Sequence, residues 1–600
     1  VGLGVVGALA VATLLLGPEL WGLLPSRVRH YPYEWAAVVV AMIYGSAWML
    51  ARGRHRHWLV VSDALSDRLL TGGLAIGVGI LCGGLLLGYI PHYLTWPWCR
   101  DEDTFAVLAQ SWDVGIRPYR DIRAYNFPGH IYLHWILGRL VGWGQTELFY
   151  AVDAGALVAL GFALAGWSRR RFGAALPGLA GYLAFLWFYL GLIYELVAER
   201  DWHASLLVAL GLMALEVWPG RRGRLASALA TAVALTIRPH VVLFLPALIS
   251  ALDEGQRWPG EPWSRSLRAI AAWMVWLGLF LVLAFTPLLA EGLADDLLRE
   301  LRVASYSGPY SRLTWESFAM LLREPLHNRW VVGVLAACLV LAVIAPMGWR
   351  RTVRTWLLAL LAALIYRPLH PVAHAYLVLP LALFSSIAVA FPVAWLLAAR
   401  PLAPTLRLAA VALILYEAMP SIPRFCSLRE SLHALRPLAM GQAPDVPPIG
   451  CCNFFHRDHP ELDAYPWADY RATLAYLRAT TGPRTQIANV LRQVPFPSLN
   501  GPTGRLSPFL AESGLCWMWL IHQDLDAEFA AELERATDSV VVWSPGEEVD
   551  PRLRFPRLTR VILDRYEPAV AFGPIQVWRR RPEPAGEPGR NPGLARSSPR

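Results

Sequence analysis

The stretch Trp98–Gly115, WCRDEDTFAVLAQSWDVG, follows seven residues after an apolar run from Leu69 to Ile90. It sets three carboxylates, Asp101, Glu102 and Asp103, eleven to thirteen residues past where that run ends. The run is long enough to cross the ~30 Å hydrocarbon core of a bilayer as a helix. Acids drawn into lipid are costly. The stretch is therefore either a solvated cap on a span or a site at the membrane surface. Beyond the acids, Phe105, Leu108, Ala109 and Trp112 recur at helical spacing while Gln110, Ser111 and Asp113 face elsewhere. That pattern predicts an amphipathic helix lying in the interface, with Asp101 and Glu102 at its N-terminus. One acid suffices to complement a helix N-terminus, so capping does not account for three.

Outward from this stretch the chain reads as an α-helical polytopic membrane protein. Of its 600 residues 56% are apolar and 16% charged, against roughly 25% charged in soluble proteins. Candidate spans lie at 3–23, 34–51 and 69–90 before the acids. After them come 147–168, 173–194, 203–218, a broken segment 225–252, 267–289, 329–348, 355–366, 376–397 and 405–419. The chain opens within an apolar run that lacks a basic n-region and a small-residue cleavage site, which reads as a first span rather than a signal peptide. All 54 basic residues are Arg and the net charge is +9. With no nucleic-acid-binding motif, an Arg is informative only by position.

Basic clusters stay cytoplasmic. Arg52-Arg54-Arg56, Arg169-Arg170-Arg171, Arg221-Arg222-Arg224 and Arg350-Arg351-Arg354 share one side under two conditions. Pro128–Gly142 must lie along the interface or dip in and return, and 225–252 must cross twice as two pieces meeting at Thr236–His240, TIRPH. Broken helices of this kind are tolerated where they line a protein-enclosed cavity. About thirteen crossings result, N-terminus inside and C-terminus outside, with Arg27 and Arg29 on the wrong side. The outward loops then collect Asp101-Glu102-Asp103, ELVAERDWH (Glu195–His203), TIRPH, SYSGPYSR (Ser305–Arg312) and YRPLHPVAHAY (Tyr366–Tyr376).

From about Pro420 the apolar density falls. A Pro-rich linker over 420–460 leads to a small external α/β domain reaching 581, and the tail 582–600 has the composition of a disordered segment. YRATLAYLRAT (Tyr470–Thr480) has helical spacing; DSVVVWS (Asp538–Ser544), RLTRVILD (Arg557–Asp564) and PIQVWRRR (Pro574–Arg581) read as strands. Cys82 and Cys338 read as core. Cys99, Cys426, Cys451, Cys452 and Cys516 fall in outward loops, where a bridge from the 451–452 pair to Cys426 or Cys516 is open and connectivity is not readable.

Acids, loop Arg and His residues gathered on one membrane face suit transfer from a phosphate-linked lipid donor. A basic site holds the phosphate, and a carboxylate takes the proton of an incoming hydroxyl. Arg200, Arg238, Arg367 and His374 stand at outward span ends for the first role. Bland readings stand beside them: Arg200 pairing with Asp201 or Glu199, and Arg367 snorkelling from its helix end.

The succession DEDTFA, GIRPYRD, PGHIY and a helix ending VGWG resembles the first external loop of the GT-C glycosyltransferase superfamily. Within it, the similarity is to the branch of protein O-mannosyltransferases and lipid A aminoarabinose transferases. ERDWH resembles a second external acidic site, YRPLHPVAHAYLVLPL a late loop before a span, and YEPAVAFGPIQVWRR the last strand of the external domain. The resemblance covers about 69–400 well, 420–581 loosely and the first 68 residues not at all; those read as additional N-terminal transmembrane helices. It implies a catalytic membrane domain over 69–419 with its first external loop at 91–146. The donor implied is a polyprenyl-phosphate sugar, the acceptor a lipid, glycan or protein on the external face, and the transfer inverting. By position, Asp101 is the catalytic base, Glu102 its acidic neighbour, Asp201 a second acid, and Asp103 dispensable. Phe105 stands where Tyr is common, and Phe-Pro-Gly replaces Pro-Pro. No cofactor is required by the pattern, although carboxylates near phosphate could hold a divalent metal. The location implied is the cytoplasmic membrane, with site and C-terminal domain on its periplasmic or extracellular side. The alternative is a transporter or lipid flippase, which predicts charges within spans and a repeat between halves.

Overall fold

The computed structural model describes residues 59–94, 96–98, 100–192, 196–254, 263–306, 314–370, 375–398, 410–415, 466–491, 499–509, 525–545 and 555–582. The spans expected at 3–23 and 34–51, the loop cysteines and His374 lie outside these residues, as does most of 405–419. The chain is an α-helical membrane protein with a small C-terminal α/β domain. Apolar periodicity gives way to helices α1 (Leu59–Tyr93), α2 (Arg100–Asp113), α3 (Gly129–Val141), α4 (Thr146–Phe172), α5 (Leu176–Tyr189), α6 (Arg200–Val217) and α7 (Arg221–Ile237). A 3₁₀ turn, Pro239–Phe244, leads into α8 (Leu245–Glu254), followed by α9 (Trp263–Ala290) and α10 (Ala294–Tyr306).

The membrane part continues with α11 (Trp315–Arg323), α12 (Arg329–Ile344), α13 (Met347–Tyr366), α14 (Leu379–Ala388) and α15 (Ala390–Ala398). Among the described residues four helices are long and apolar enough to cross a membrane: Thr71–Ile90, Thr146–Phe172, Ser266–Ala290 and Tyr376–Ala398. A fifth arises if Trp315–His327 and Arg329–Ile344, bent by 86°, count as one span. Side chains such as Phe162 (77% exposed) and Val275 (69%) point out of the bundle, where lipid rather than water satisfies them. The interior is filled by fully buried Trp167, Trp202, Trp273 and Trp356.

The two conditions on topology have clear local counterparts. Helix α3 has 13 residues, about 20 Å at 1.5 Å per residue, too short for a bilayer core; it packs along α2. The segment 225–252 is broken at Arg238, whose extended backbone (φ −142°, ψ 113°) ends α7 one residue before Pro239. Proline disfavours helical geometry in the residue before it, so the break is written in the Arg-Pro pair.

Two expectations are corrected. Helix α2 does not lie on the interface with a wet face: residues 102–111 are buried along its whole circumference. Its polar side is covered by a turn of the C-terminal domain, so Gln110 donates to the Gly504 carbonyl at 2.9 Å. RLTRVILD is not a strand but part of the helix Pro556–Arg565. A proline at its first turn suits a helix start, and buried Leu558, Val561 and Ile562 have the spacing of one helical face.

The C-terminal domain packs α16 (Trp467–Thr480), α17 (Leu525–Arg535) and α18 (Pro556–Arg565) on a four-stranded sheet. Its strands are β1 (Gln486–Asn489), β2 (Ser539–Trp543), β3 (Tyr566–Phe572) and β4 (Ile575–Arg580), in the order β1-β2-β4-β3. β1 and β2 are parallel; β4 runs antiparallel to both its neighbours, and β3–β4 is a hairpin. Cys82 and Cys338 are buried and free.

Candidate active site

The polar residues of the bundle sort to two poles. At one, Trp167 and Trp356 donate their indole N–H groups to Glu216 at 2.5 and 3.0 Å, and Arg171 donates to the Gly348 carbonyl at 2.5 Å. This pole holds the basic clusters of residues 169–171 and 350–354. On α4, Asp153 lies 18 residues from Arg171, about 27 Å along the helix, and belongs to the opposite pole. There the acids, the loop Arg residues and the His residues of α3 and α6 meet.

Asp101, at the start of α2, accepts from Arg200 Nη2 at 2.9 Å; its side chain is 26% exposed, that of Arg200 7%. The Arg200 guanidinium lies over the Phe105 ring, 5.1 Å from its centroid. Its Nε and Nη1 are buried and find no hydrogen-bond acceptor among the described residues. One residue on, Asp201 is fully buried and takes both Nε (2.9 Å) and Nη2 (2.6 Å) of Arg238 on one oxygen. Its other oxygen accepts from the Tyr366 hydroxyl at 2.6 Å. Tyr366 ends α13 and Arg238 sits in the break after α7, so three helix ends are joined on one carboxylate. Arg238 and Tyr376 also stack, 5.9 Å from guanidinium to ring centroid.

Glu102 turns the other way, into the protein. Its Oε2 lies 3.0 Å from His134 Nε2, and its Oε1 lies 3.7 Å from His130 Nδ1. Both His residues are on α3, one turn apart and on one face. Burial holds the Glu102 carboxyl well above the usual carboxylate range. The same burial puts His130 well below the usual imidazole value and His134 down to about 3. His130 in turn meets His203 of α6 at 3.1 Å, and His203 meets the fully buried Asp153 at 2.7 Å.

Around this line the backbone is unusual at two points, where α3 meets the end of α7 and just before α6. Gly129 lies against Ile237, where a Cβ would come within 2.5 Å of the side chain and 2.8 Å of the backbone nitrogen. Ala198 takes a left-handed conformation, φ 57°, and its N–H donates to the Tyr189 hydroxyl at 2.7 Å. A non-glycine residue there stores backbone strain, directly before the Glu199-Arg200-Asp201 run.

Of the residues expected at the site, Asp101, Arg200, Asp201 and Arg238 come together, with Glu102 beside them but facing inward. Arg367 instead turns to Glu324, 2.9 Å away. Asp103, expected to be dispensable, is buried and accepts the Gly501 N–H from the C-terminal domain. Sequence reasoning missed Asp153, His130, His134 and His203 as a group. Their signal was available: an acid eight residues into an apolar span, and two His residues four apart on a short interfacial helix. Among the described residues no group of three or more His, Cys, Asp and Glu side chains is spaced to hold a metal ion.

No protein-family model matches the chain, and no curated protein does. Two solved structures are similar to it in fold, both of ArnT from Cupriavidus metallidurans. The apo form has 11% identity and a TM-score of 0.47, covering 84% of this chain and 97% of that chain. The chain is likewise similar to ArnT bound to undecaprenyl phosphate, at 12% identity and a TM-score of 0.49 over 86% of this chain and 99% of that chain.

Proposed function

We propose that the chain is a GT-C-type membrane glycosyltransferase that moves a sugar from a polyprenyl-phosphate carrier to a hydroxyl of a lipid, glycan or protein acceptor on the external face, with inversion. The observation that carries this reading is the Asp101–Arg200 pair. Among the described acids of the site, Glu102, Asp103, Asp153 and Asp201 are each at most 2% exposed, whereas the Asp101 side chain is 26% exposed. Its partner Arg200 is buried yet keeps two donors without an acceptor among the described residues. A guanidinium in that state supports a ligand with oxygen acceptors, and a phosphate matches its planar fork.

In this reading the acceptor oxygen attacks the anomeric carbon from the side opposite the phosphate. Its proton passes to the Asp101 carboxylate. The bond from the anomeric carbon to the phosphate oxygen breaks, and its electron pair leaves with the polyprenyl phosphate. Arg200 meets the charge that develops there. Arg238 is already held by Asp201, so it contributes positive field and shape rather than a free donor. His374 and Arg367 are further phosphate contacts in this proposal, with Arg367 having to leave Glu324 to serve. The basic pole faces the cytoplasm by the positive-inside rule, which puts Asp101 on the external side.

The test is transfer by the purified protein in bilayers, supplied with polyprenyl-phosphate sugars and cell-envelope acceptors. Arg200→Ala is expected to weaken polyprenyl-phosphate binding about tenfold or more, as loss of a charge-assisted hydrogen bond does. Unchanged binding in that variant takes the phosphate away from Arg200. Absence of transfer from every polyprenyl-phosphate sugar by the unaltered protein removes the reading.

A further inference from the structure

Five titratable side chains form a line through the protein: Asp153, His203, His130, Glu102 and His134. The direction of its hydrogen bonds follows from donor chemistry. Asp153 Oδ1 accepts from the Trp202 indole N–H at 2.8 Å, a group that only donates. Its Oδ2 faces the Tyr93 and Tyr189 hydroxyls at 2.6 and 2.8 Å. Because the Tyr189 oxygen already accepts the Ala198 N–H, its proton points at Asp153. A carboxylate receiving this many donors is an acceptor throughout. His203 therefore carries its proton on Nε2, 2.7 Å from Asp153.

With His203 a neutral imidazole, as the proposal takes it, its Nδ1 is a lone pair and the proton in the 3.1 Å contact with His130 sits on His130 Nε2. This leaves His130 Nδ1 as a lone pair facing Glu102 Oε1 at 3.7 Å. Both atoms are buried and neither has a hydrogen-bond partner among the described residues. Two acceptors facing each other repel unless a proton lies between them. With a proton on Oε1 the pair closes into a hydrogen bond after a shift of less than an ångström, and Oε2 stays free to accept from His134 Nε2 at 3.0 Å.

We propose that Asp153, His203 and His130 are a directional positioning chain that holds Glu102 as a neutral carboxylic acid beside Asp101. The inference deepens the proposed function and rests on it for its catalytic meaning. A neutral Glu102 leaves Arg200 to Asp101 and the phosphate, and it leaves one charged acid on the open side to act as base. The charged and titratable groups around Glu102 are Asp101 and Asp103 on its own helix, His130 and His134 on α3, and Asp153 on α4. Glu199, Arg200 and His203 stand at the start of α6, and Arg238 in the break after α7. The buried position agrees with the upward displacement of its carboxyl and the downward displacement of the two α3 imidazoles.

The neutral acid is read directly by infrared difference spectroscopy on the full chain in bilayers at neutral pH. Glu102→Gln is expected to remove a protonated-carboxyl band; loss of a carboxylate band instead overturns the proposal, whatever the activity. In Asp153→Ala the acceptor that keeps the proton on His203 Nε2 is gone, so both imidazole tautomers are released. His130 is then free to donate to Glu102, and the protonated-carboxyl band weakens although the substitution lies three side chains away. A band unchanged in folded Asp153→Ala overturns the directional chain. In transfer assays Glu102→Gln, whose amide donates to His130 and accepts from His134, is expected to recover most of what Glu102→Ala loses. Gln as inactive as Ala overturns the neutral role. If no variant and no unaltered protein transfers sugar, the functional reading fails while the infrared result still decides the protonation state.

Discussion

At the scale of single residues, the arrangement around Asp201 shows which interactions hold the site. Arg200 and Asp201 are neighbours in sequence, which invites pairing them. Consecutive helical residues point about 100° apart, so Arg200 reaches Asp101 and Asp201 reaches Arg238. The candidate residues were thus readable in the sequence, but their partners depend on which helix ends meet. Arg238→Ala leaves the buried Asp201 without its cation, and removing one partner of a buried pair costs about 3–5 kcal/mol. A lower melting temperature, measured in detergent, is expected, with Arg238→Lys intermediate because it loses the two-pronged contact. A second residue-scale prediction concerns acid. Glu102 is protonated in both folded and unfolded chains below about pH 4.3, so of the Glu102–His134 pair only the imidazole matters there. The unfolded chain takes up protons that His134, down to about 3 when folded, refuses. That contribution to stability is present above about pH 6.5 and is lost as pH falls below it. His134→Gln is expected to flatten the acid side of the stability–pH curve; an unchanged slope contradicts a neutral buried His134.

At the scale of elements, α2 is held between α3 and the turn Asn500–Thr503 of the C-terminal domain. Asp103 accepts the Gly501 N–H, and Trp98 lies across the same glycine. A Cβ on Gly501 would stand 2.6 Å from the Trp98 ring and 2.8 Å from Asp103 Oδ1. Gly501→Ala is therefore expected to cost about 1–3 kcal/mol by overpacking and to lower transfer from a distance. Asp103→Asn keeps an acceptor oxygen and is expected to retain activity, whereas Asp103→Ala leaves the turn unanchored and is expected to lose stability and transfer together. Equal behaviour of Asn and Ala in these two measurements contradicts the anchor. Periodicity made α2 legible as a helix but not its burial. The cover over Gln110 comes from residues nearly 400 positions away, and a single-sequence pattern carries no record of such a contact. Similarly, Pro556 marked the start of α18, but its mixed apolar run matched strand and helix templates alike.

At the scale of the whole molecule, one pole gathers Arg clusters and tryptophans around Glu216, and the other gathers the acids, His residues and the C-terminal domain. The separation was legible from composition alone, because basic clusters and acidic loops alternate between spans. The closed Asp153–His203–His130 line was not, since it needs α3, α4 and α6 side by side. In a variant lacking the other reactive cysteines, Cys at exposed Glu567 is expected to react with a membrane-impermeant thiol reagent added outside intact cells, and Cys at exposed Arg169 is not. The reverse pattern contradicts the proposed orientation. The central claim is that Asp101 takes the proton in sugar transfer, and the direct measurement is single-turnover transfer from a polyprenyl-phosphate sugar by Asp101→Asn in bilayers. A loss of about 10²–10⁴-fold is expected, the usual contribution of a general base, with donor binding and melting temperature close to those of the unaltered protein. Transfer at the unaltered rate would contradict the claim.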